Sequence, residues 1–303
     1  FQHFAEKKIF ISTQSLGIEW VIPTLLNDIY SSKKYYKNGS NFWRATKYID
    51  ASITYESIDR NIQAQEIGKG LAFFHNLTED IPNNRLNTTI EGFHNTVSFL
   101  NKFYSLFPDY LSKSNLSTLL SVRVQKLFHL IDHSMEKIIK FDQVRKKLDF
   151  TSTVIHGDPK VNNFLFNKNT KSAISLIDLD TLIYDIRLID IADCIRSCCN
   201  SAGEETMEVD EIVFDVNFFS LIIQNYCHTI SRPLSNTDFR YLPYAVYSIV
   251  FELGLRFLLD FMTGDNYFRT TYSDHNLKRA EVQFGLLISI ESQWEHLLKI
   301  VDD

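Results

Sequence analysis

The chain has 303 residues, 45% of them hydrophobic, and a formal net charge of -6, with an isoelectric point of about 5.9. That apolar content supports one large or two unequal domains, and the acidic balance, with no basic run longer than Val144-Arg145-Lys146-Lys147, argues against a nucleic-acid partner. Four cysteines without a C-x-x-C pair or a spaced framework point to a reduced, cytoplasmic setting, and the greasiest run, 241–261, is broken by Glu252, Arg256 and Asp260, which argues against a membrane partner.

In chain order, Phe4, Ile9, Phe10 and Ile11 predict a helix over 2–15. Residues 19–26 read as a strand with Pro23 at an edge or bend. Residues 37–41, KNGSN, are a turn signal leading into a second strand over 42–50. From about residue 54 the helical period dominates: 59–77 sets Ile62, Ile67, Leu71 and Phe74 on one side, 93–107 is amphipathic, and 117–141 is a long helix. An apolar strand then ends at His156. A hairpin follows, with strands at 164–166 and 173–178 around the turn 167–171. Helices are expected again over 188–200, 211–230, 241–262 and 275–300. The pattern divides the chain into a small β-containing part, 1–50, and a large helical part, 51–303, with one embedded hairpin.

The strip around that hairpin carries the chemistry. His156-Gly157-Asp158 leaves the strand, Asn163 follows Asp158 by five residues, and the return strand ends at Asp178. A hairpin of this length brings its ends together, so Asn163 and Asp178 should lie close, with Asp158 in the loop before them. Asn and Asp oxygens are hard ligands suited to magnesium on a triphosphate. A neighbouring Asp can take the proton of an attacking hydroxyl. His-x-Asp-x-x-x-x-Asn followed by a strand-borne Asp is the spacing of a kinase catalytic loop and its metal-binding Asp. Gly157 stands where protein kinases carry Arg, and Asp178-Leu179-Asp180 where they carry Asp-Phe-Gly, which directs the reading toward small-molecule kinases.

Other residues have two readings on sequence alone. His156 reads as a packed loop anchor rather than an acid or base. Lys160 is either an exposed lysine or a point charge on the transferring phosphoryl group. Arg256, inside a greasy helical run, needs a partner: either Glu252 one turn earlier or a ligand. Arg196 follows Asp190 and Asp193, which favours a structural ion pair. Tyr267 is a loop-packing or a pocket residue. Asp190 caps a helix or braces the catalytic loop, Asp180 is a second metal contact or a turn cap, and Cys198 and Cys199 are core.

HGDPKVNNFLF (156–166) with SLIDLDTL (175–182) resembles the aminoglycoside and choline phosphotransferase superfamily. NFWRATKYIDAS (41–52), GLAFFHNL and IEGFHNT (within 70–96), DIADCIRS (190–197) and the block from Leu253 to Leu287 resemble its N-acetylhexosamine 1-kinase branch. The resemblance implies a protein-kinase-like α+β fold with a small β-containing N-terminal lobe and a large, mostly helical C-terminal lobe. It implies ATP as phosphoryl donor, Mg2+ as cofactor, and a sugar acceptor phosphorylated at its anomeric hydroxyl. Asp158 would be the base and Asn163 and Asp178 the magnesium ligands. Lys160, Arg196, Arg256 and Tyr267 would line the sugar and phosphoryl pocket, and Tyr48 and Ile49 would meet adenine.

A kinase lobe begins with a Gly-rich hairpin over the phosphates and a strand bearing a basic residue. Neither is in the sequence, so an N-terminal portion on the order of fifty residues is expected to be missing, with Glu6 on the helix that follows it. The alternatives are a kinase for choline, homoserine or an aminoglycoside, or an inactive pseudokinase or ligand-binding module that lacks the loop. The intact Asp158, Asn163 and Asp178 argue against inactivity. Arg196, Arg256 and Lys160 suit a neutral sugar better than a cationic acceptor.

Overall fold

The computed structural model describes residues 19–83, 86, 90, 92–107 and 118–302; the helix expected over 2–15, with Glu6, lies outside them. The first strands among the described residues are a hairpin of β1 (Tyr36–Asn38) and β2 (Asn41–Trp43), turned at Gly39 and Ser40. The strand expected over 19–26 does not form a regular ladder. Pro23 has no N–H to give, and pairing is limited to the Val21 N–H on the Ile174 carbonyl (2.7 Å) and an exchange in which Leu26 N–H meets Ala45 O (2.9 Å) and Lys47 N–H meets Thr24 O (2.8 Å). The second expected strand, 42–50, is likewise regular only as far as Trp43.

The embedded hairpin is present as β5 (Phe164–Asn167) and β6 (Ala173–Leu176), joined at its edge by β3 (Ser52–Ile53). A second, two-stranded sheet pairs β4 (Ser152–Ile155) with β7 (Ile183–Ile186), a strand too short to stand out in the sequence. Both sheets emerge from one packed core: Val154, Ile155, Phe164, Phe166 and Leu176 are all buried.

Helices make up most of the other described residues. Helix α1 (Asn61–Thr78) starts where the Gln63 side chain accepts from the Arg60 N–H at 2.9 Å. Ile67, Leu71 and Phe74 are buried as their spacing predicts, but Ile62, in the first turn, is 44% exposed. Helix α2 (Thr96–Leu106) is capped by Asn95, and α3 (Thr118–Lys147) runs a turn and a half beyond the expected 141. Helix α4 is Arg187–Cys198. Helix α5 (Val216–Thr229) begins later than expected because Asp215 caps it. Helix α6 (Asn236–Met262) begins earlier, at the Ser235/Asp238 capping box. The single helix expected over 275–300 is two, α7 (His275–Ser292) and α8 (Trp294–Asp302), broken at Gln293. Gly68 lets α1 and α5 approach, since a Cβ there would lie 2.4 Å from the Ile222 carbonyl oxygen. Cys194, Cys198 and Cys199 pack in the core. Among the described residues no helix is long and apolar enough to cross a membrane.

Candidate active site

The loop after β4 is fixed before any ligand arrives. The N–H groups of His156 and Gly157 donate to Asp190 Oδ2 and Oδ1 at 2.6 and 2.7 Å. His75 Nε2 meets the same carboxylate at 2.9 Å, and its Nδ1 lies 2.8 Å from the Tyr226 hydroxyl. Burial opposes the charge on Asp190, but His75 and the backbone N–H of His156 outweigh it and hold the carboxyl below its usual range. Burial lowers His75. The neutral ring therefore donates from Nε2 to Asp190 and accepts from Tyr226. Of the two readings for Asp190, the brace is the one realised.

His156 is a buried anchor, its Nε2 donating to the Ile177 carbonyl at 2.8 Å. His94 Nε2 donates to the Gly157 carbonyl at 2.7 Å. Gly157 has φ of +84°, and a Cβ there would stand 2.4 Å from the Thr181 carbonyl oxygen.

Asp158 comes next. Lys160 Nζ lies 2.9 Å from its Oδ2. Burial, then the nearby Asp193 carboxylate, pushes the Asp158 carboxyl up, with Lys160 pulling against them. Asn163 closes a short 3-10 turn, Val161–Asn163, and its Nδ2 donates to the Asp158 carbonyl at 2.8 Å. On its other side the Asn163 carbonyl accepts from Ile177 N–H at 2.9 Å. Asp178, the next residue, is exposed and left-handed, with φ of +63°. The hairpin thus joins its two ends through Asn163 and Ile177.

Asn163 Oδ1 has no protein donor, and Asp178 has no ion pair, among the described residues. These are unspent hard oxygens, the donor type a magnesium–triphosphate complex takes. No group of three or more His, Cys, Asp or Glu able to hold a metal occurs among the described residues. A cation here would therefore draw its remaining ligands from phosphate and water. Asp180 accepts from Arg44 Nη2 in a half-exposed ion pair.

Two cavities flank this centre. One, of about 620 Å³, is lined by Tyr48, Ile49, Arg44, Leu165, Ile177 and Asp178. The other, of about 820 Å³, brings together Asp158, Lys160, Arg196, Arg256 and Tyr267. Arg196 is 1% exposed and committed to structural pairs, donating to Asp193 Oδ1 at 2.7 Å and to Glu204. Arg256 does not pair with Glu252, whose carboxylate lies 3.4 Å from His94 Nδ1 and accepts from Thr96 Oγ1 at 2.7 Å. Its guanidinium sits instead among Phe93, Phe99, Phe268 and Tyr267, at 5.2, 5.4, 5.5 and 5.7 Å from the ring centroids. Tyr267 is 63% exposed, with its backbone N–H held by Asp260 Oδ1 at 2.9 Å. Sequence reasoning missed His94, Glu204 and Asp260. His94 reaches its loop across 63 residues, whereas Glu204 and Asp260 act from eight residues away or fewer, on Arg196 and on the backbone of 266–268, and no motif marks any of them.

A family model described as Phosphotransferase enzyme family matches residues 15–212. An aminoglycoside phosphotransferase from Alicyclobacillus acidocaldarius superposes with a TM-score of 0.60 at 14% identity, over 97% of this chain and 83% of that one. A choline/ethanolamine kinase family protein from Mesorhizobium loti gives 0.56 at 12% identity, over 96% and 79%. A spectinomycin phosphotransferase, solved with ADP and spectinomycin, gives 0.55 at 14% identity, over 97% and 83%. The small sheet region and large helical part are therefore the kinase-like α+β fold of these proteins.

Proposed function

This chain belongs to the phosphotransferase enzyme family, and from that premise we propose that it transfers the terminal phosphoryl group of ATP to a sugar hydroxyl, the anomeric oxygen of an N-acetylhexosamine. One observation carries the reading. Asp158 lines the larger cavity and Asp178 the smaller, and Asn163 hydrogen-bonds toward both. A phosphoryl group passing from a nucleotide in the smaller cavity to an acceptor in the larger crosses that bridge.

In this reading residues 1–50 supply the nucleotide side, where Tyr48 and Ile49 flank the adenine, and residues 51–303 the rest. Asp158 accepts the proton of the acceptor hydroxyl as its oxygen bonds to phosphorus and the bond to the ADP oxygen breaks. Its upward displacement brings the carboxyl nearer the working pH of a general base. Lys160, held on Asp158, keeps a positive charge beside the transferring group. Mg2+ held by Asn163 and Asp178 would neutralise triphosphate charge. Arg256 and Tyr267 shape the sugar site, and Arg196 positions its wall.

The charge of the larger cavity supports a neutral acceptor over a cationic one. Lys160, Arg196 and Arg279 are neutralised by Asp158, by Asp193 and Glu204, and by Glu205, while the aromatic faces that would cage a choline are taken by Arg256. The test is ATP-dependent transfer by the full-length protein to a panel of hexosamines and amino alcohols. Formation of a sugar 1-phosphate with release of ADP is expected; transfer only to amino alcohols overturns the sugar assignment.

A further inference from the structure

Behind Asp158 the larger cavity adjoins a recess of about 40 Å³ walled by His94, Gly157, Asp158, Asp193, Arg196 and Glu252. Phe93, Asp158, Arg196, Leu253 and Arg256 line both spaces, so the recess is an annexe of the same cleft. Two buried polar atoms of its walls have no hydrogen-bond partner, Asp193 Oδ2 and His94 Nδ1. The side chains are 7% and 5% exposed. The other Asp193 oxygen accepts from Arg196 Nε at 2.7 Å, which fixes the carboxylate and leaves Oδ2 for the recess. His94 spends Nε2 on Gly157 O, and its Nδ1, 3.4 Å from Glu252 Oε1, is not aligned for a hydrogen bond.

A buried carboxylate oxygen without a donor is costly, and such groups in native proteins are met by water or by ligand. One water needs roughly 10–15 Å³, so the recess has room for a hydroxyl or an N–H together with its neighbouring atom. Nothing else wide fits, and its wall at Asp158 is the wall the reacting hydroxyl faces.

We propose that this recess is an acceptor subsite in which Asp193 Oδ2 accepts a hydrogen bond from a hydroxyl or N–H group on the carbon adjacent to the one that bears the phosphorylated hydroxyl. Asp193 is thereby a specificity-determining residue, selecting vicinal diols and 2-amino or 2-amido alcohols over simple alcohols. The inference rests on the reading of Asp158 as the base for an acceptor hydroxyl, but not on the acceptor being a sugar.

The test pairs acceptors that differ in that donor, on the full-length wild-type enzyme with ATP and Mg2+: N-acetylglucosamine and glucose against 2-deoxyglucose, and ethanolamine against choline, whose nitrogen carries no hydrogen. The donor-bearing member is expected to be favoured by about 10- to 100-fold in kcat/KM. Asp193→Asn keeps an oxygen for Arg196 and turns an amide donor into the recess, so it should collapse that preference and leave the KM for ATP unchanged. A preference that survives Asp193→Asn, or equal use of both members of a pair, overturns the subsite. Transfer to ethanolamine with none to the sugars overturns the sugar assignment alone, and the ethanolamine–choline pair then decides the subsite. Transfer to none of the five probes overturns both. The wild-type comparison stands whether or not the variant folds.

Discussion

His94 donates from Nε2 to the carbonyl oxygen of Gly157 at 2.7 Å, fastening the loop that carries Asp158 to the segment before α2. That segment is itself tied down, because Arg145 donates to the His94 carbonyl at 2.8 Å and pairs with Asp185 on β7. The loop that carries Asp158 is therefore held from the segment before α2 as well as from Asp190 on α4, and the proposed base has a fixed origin.

The His94–Glu252 pair gives that fastening a pH dependence. Burial opposes the charge on His94, but Glu252 outweighs it and raises the imidazole above its ordinary value. A raised folded-state value means stability that is complete below the unfolded value of about 6.5 and is lost as pH rises through the folded one. Glu252 is lowered by the same pairing against its own burial, so its contribution is lost only in acid, below the ordinary glutamate range. Melting temperatures from about pH 6 to about pH 9 should show the difference between wild type and His94→Gln shrinking as pH rises. A difference constant across that window counts against the charged pair.

Asp190 is fully buried and satisfies three donors with two oxygens: the His156 and Gly157 N–H groups and His75 Nε2. Asp190→Asn replaces one acceptor by an NH2 group facing a donor. Unfolding in urea should report a loss of about 2–4 kcal/mol, with kcat reduced as Asp158 loses its support. Wild-type stability in the variant would show that the brace contributes nothing.

Gly157→Ala should cost more than another left-handed glycine. Gly157 has φ of +84° and its added Cβ would meet backbone, the Thr181 carbonyl at 2.4 Å, which cannot rotate away. Gly203, with φ of +80°, has nothing within 4 Å. Both alanines pay about 1–2 kcal/mol for the conformation, and Gly157→Ala adds a clash of about 1–3 kcal/mol. Equal denaturation midpoints for the two variants would refute the steric argument.

What the sequence disclosed of this site was its local part. Asp158, Asn163 and Asp178 are linked by one loop and one hairpin, so spacing alone put their backbones together, and the periodicity of Ile67, Leu71 and Phe74 put α1 on the core. Partners distant in sequence were hidden. Helical spacing offered Glu252 to Arg256, yet His94 and Thr96 take Glu252, and four aromatic rings surround Arg256. Arg44, just after β2, meets Asp180 across 136 residues of chain, which no turn rule anticipates. Residues 19–26 have the composition of a strand, but Pro23 withholds the donor a ladder needs, and pairing there stays local.

Asp178 and Asn163, the proposed magnesium ligands, separate metal binding from folding. Asp178 is exposed and makes no ion pair among the described residues, so Asp178→Asn removes a ligand charge without removing a structural contact. The Mg2+ concentration for half-maximal ATP turnover should rise by at least the ~10-fold seen when even an outer partner of a metal ligand is lost, with the melting temperature unchanged. Asn163 is 6% exposed and its Nδ2 holds the Asp158 carbonyl at 2.8 Å. Asn163→Ala should therefore raise the Mg2+ requirement and also lower stability by about 1 kcal/mol, the worth of one buried hydrogen bond. Should Asp178→Asn match wild type across a Mg2+ titration, the cation is held elsewhere.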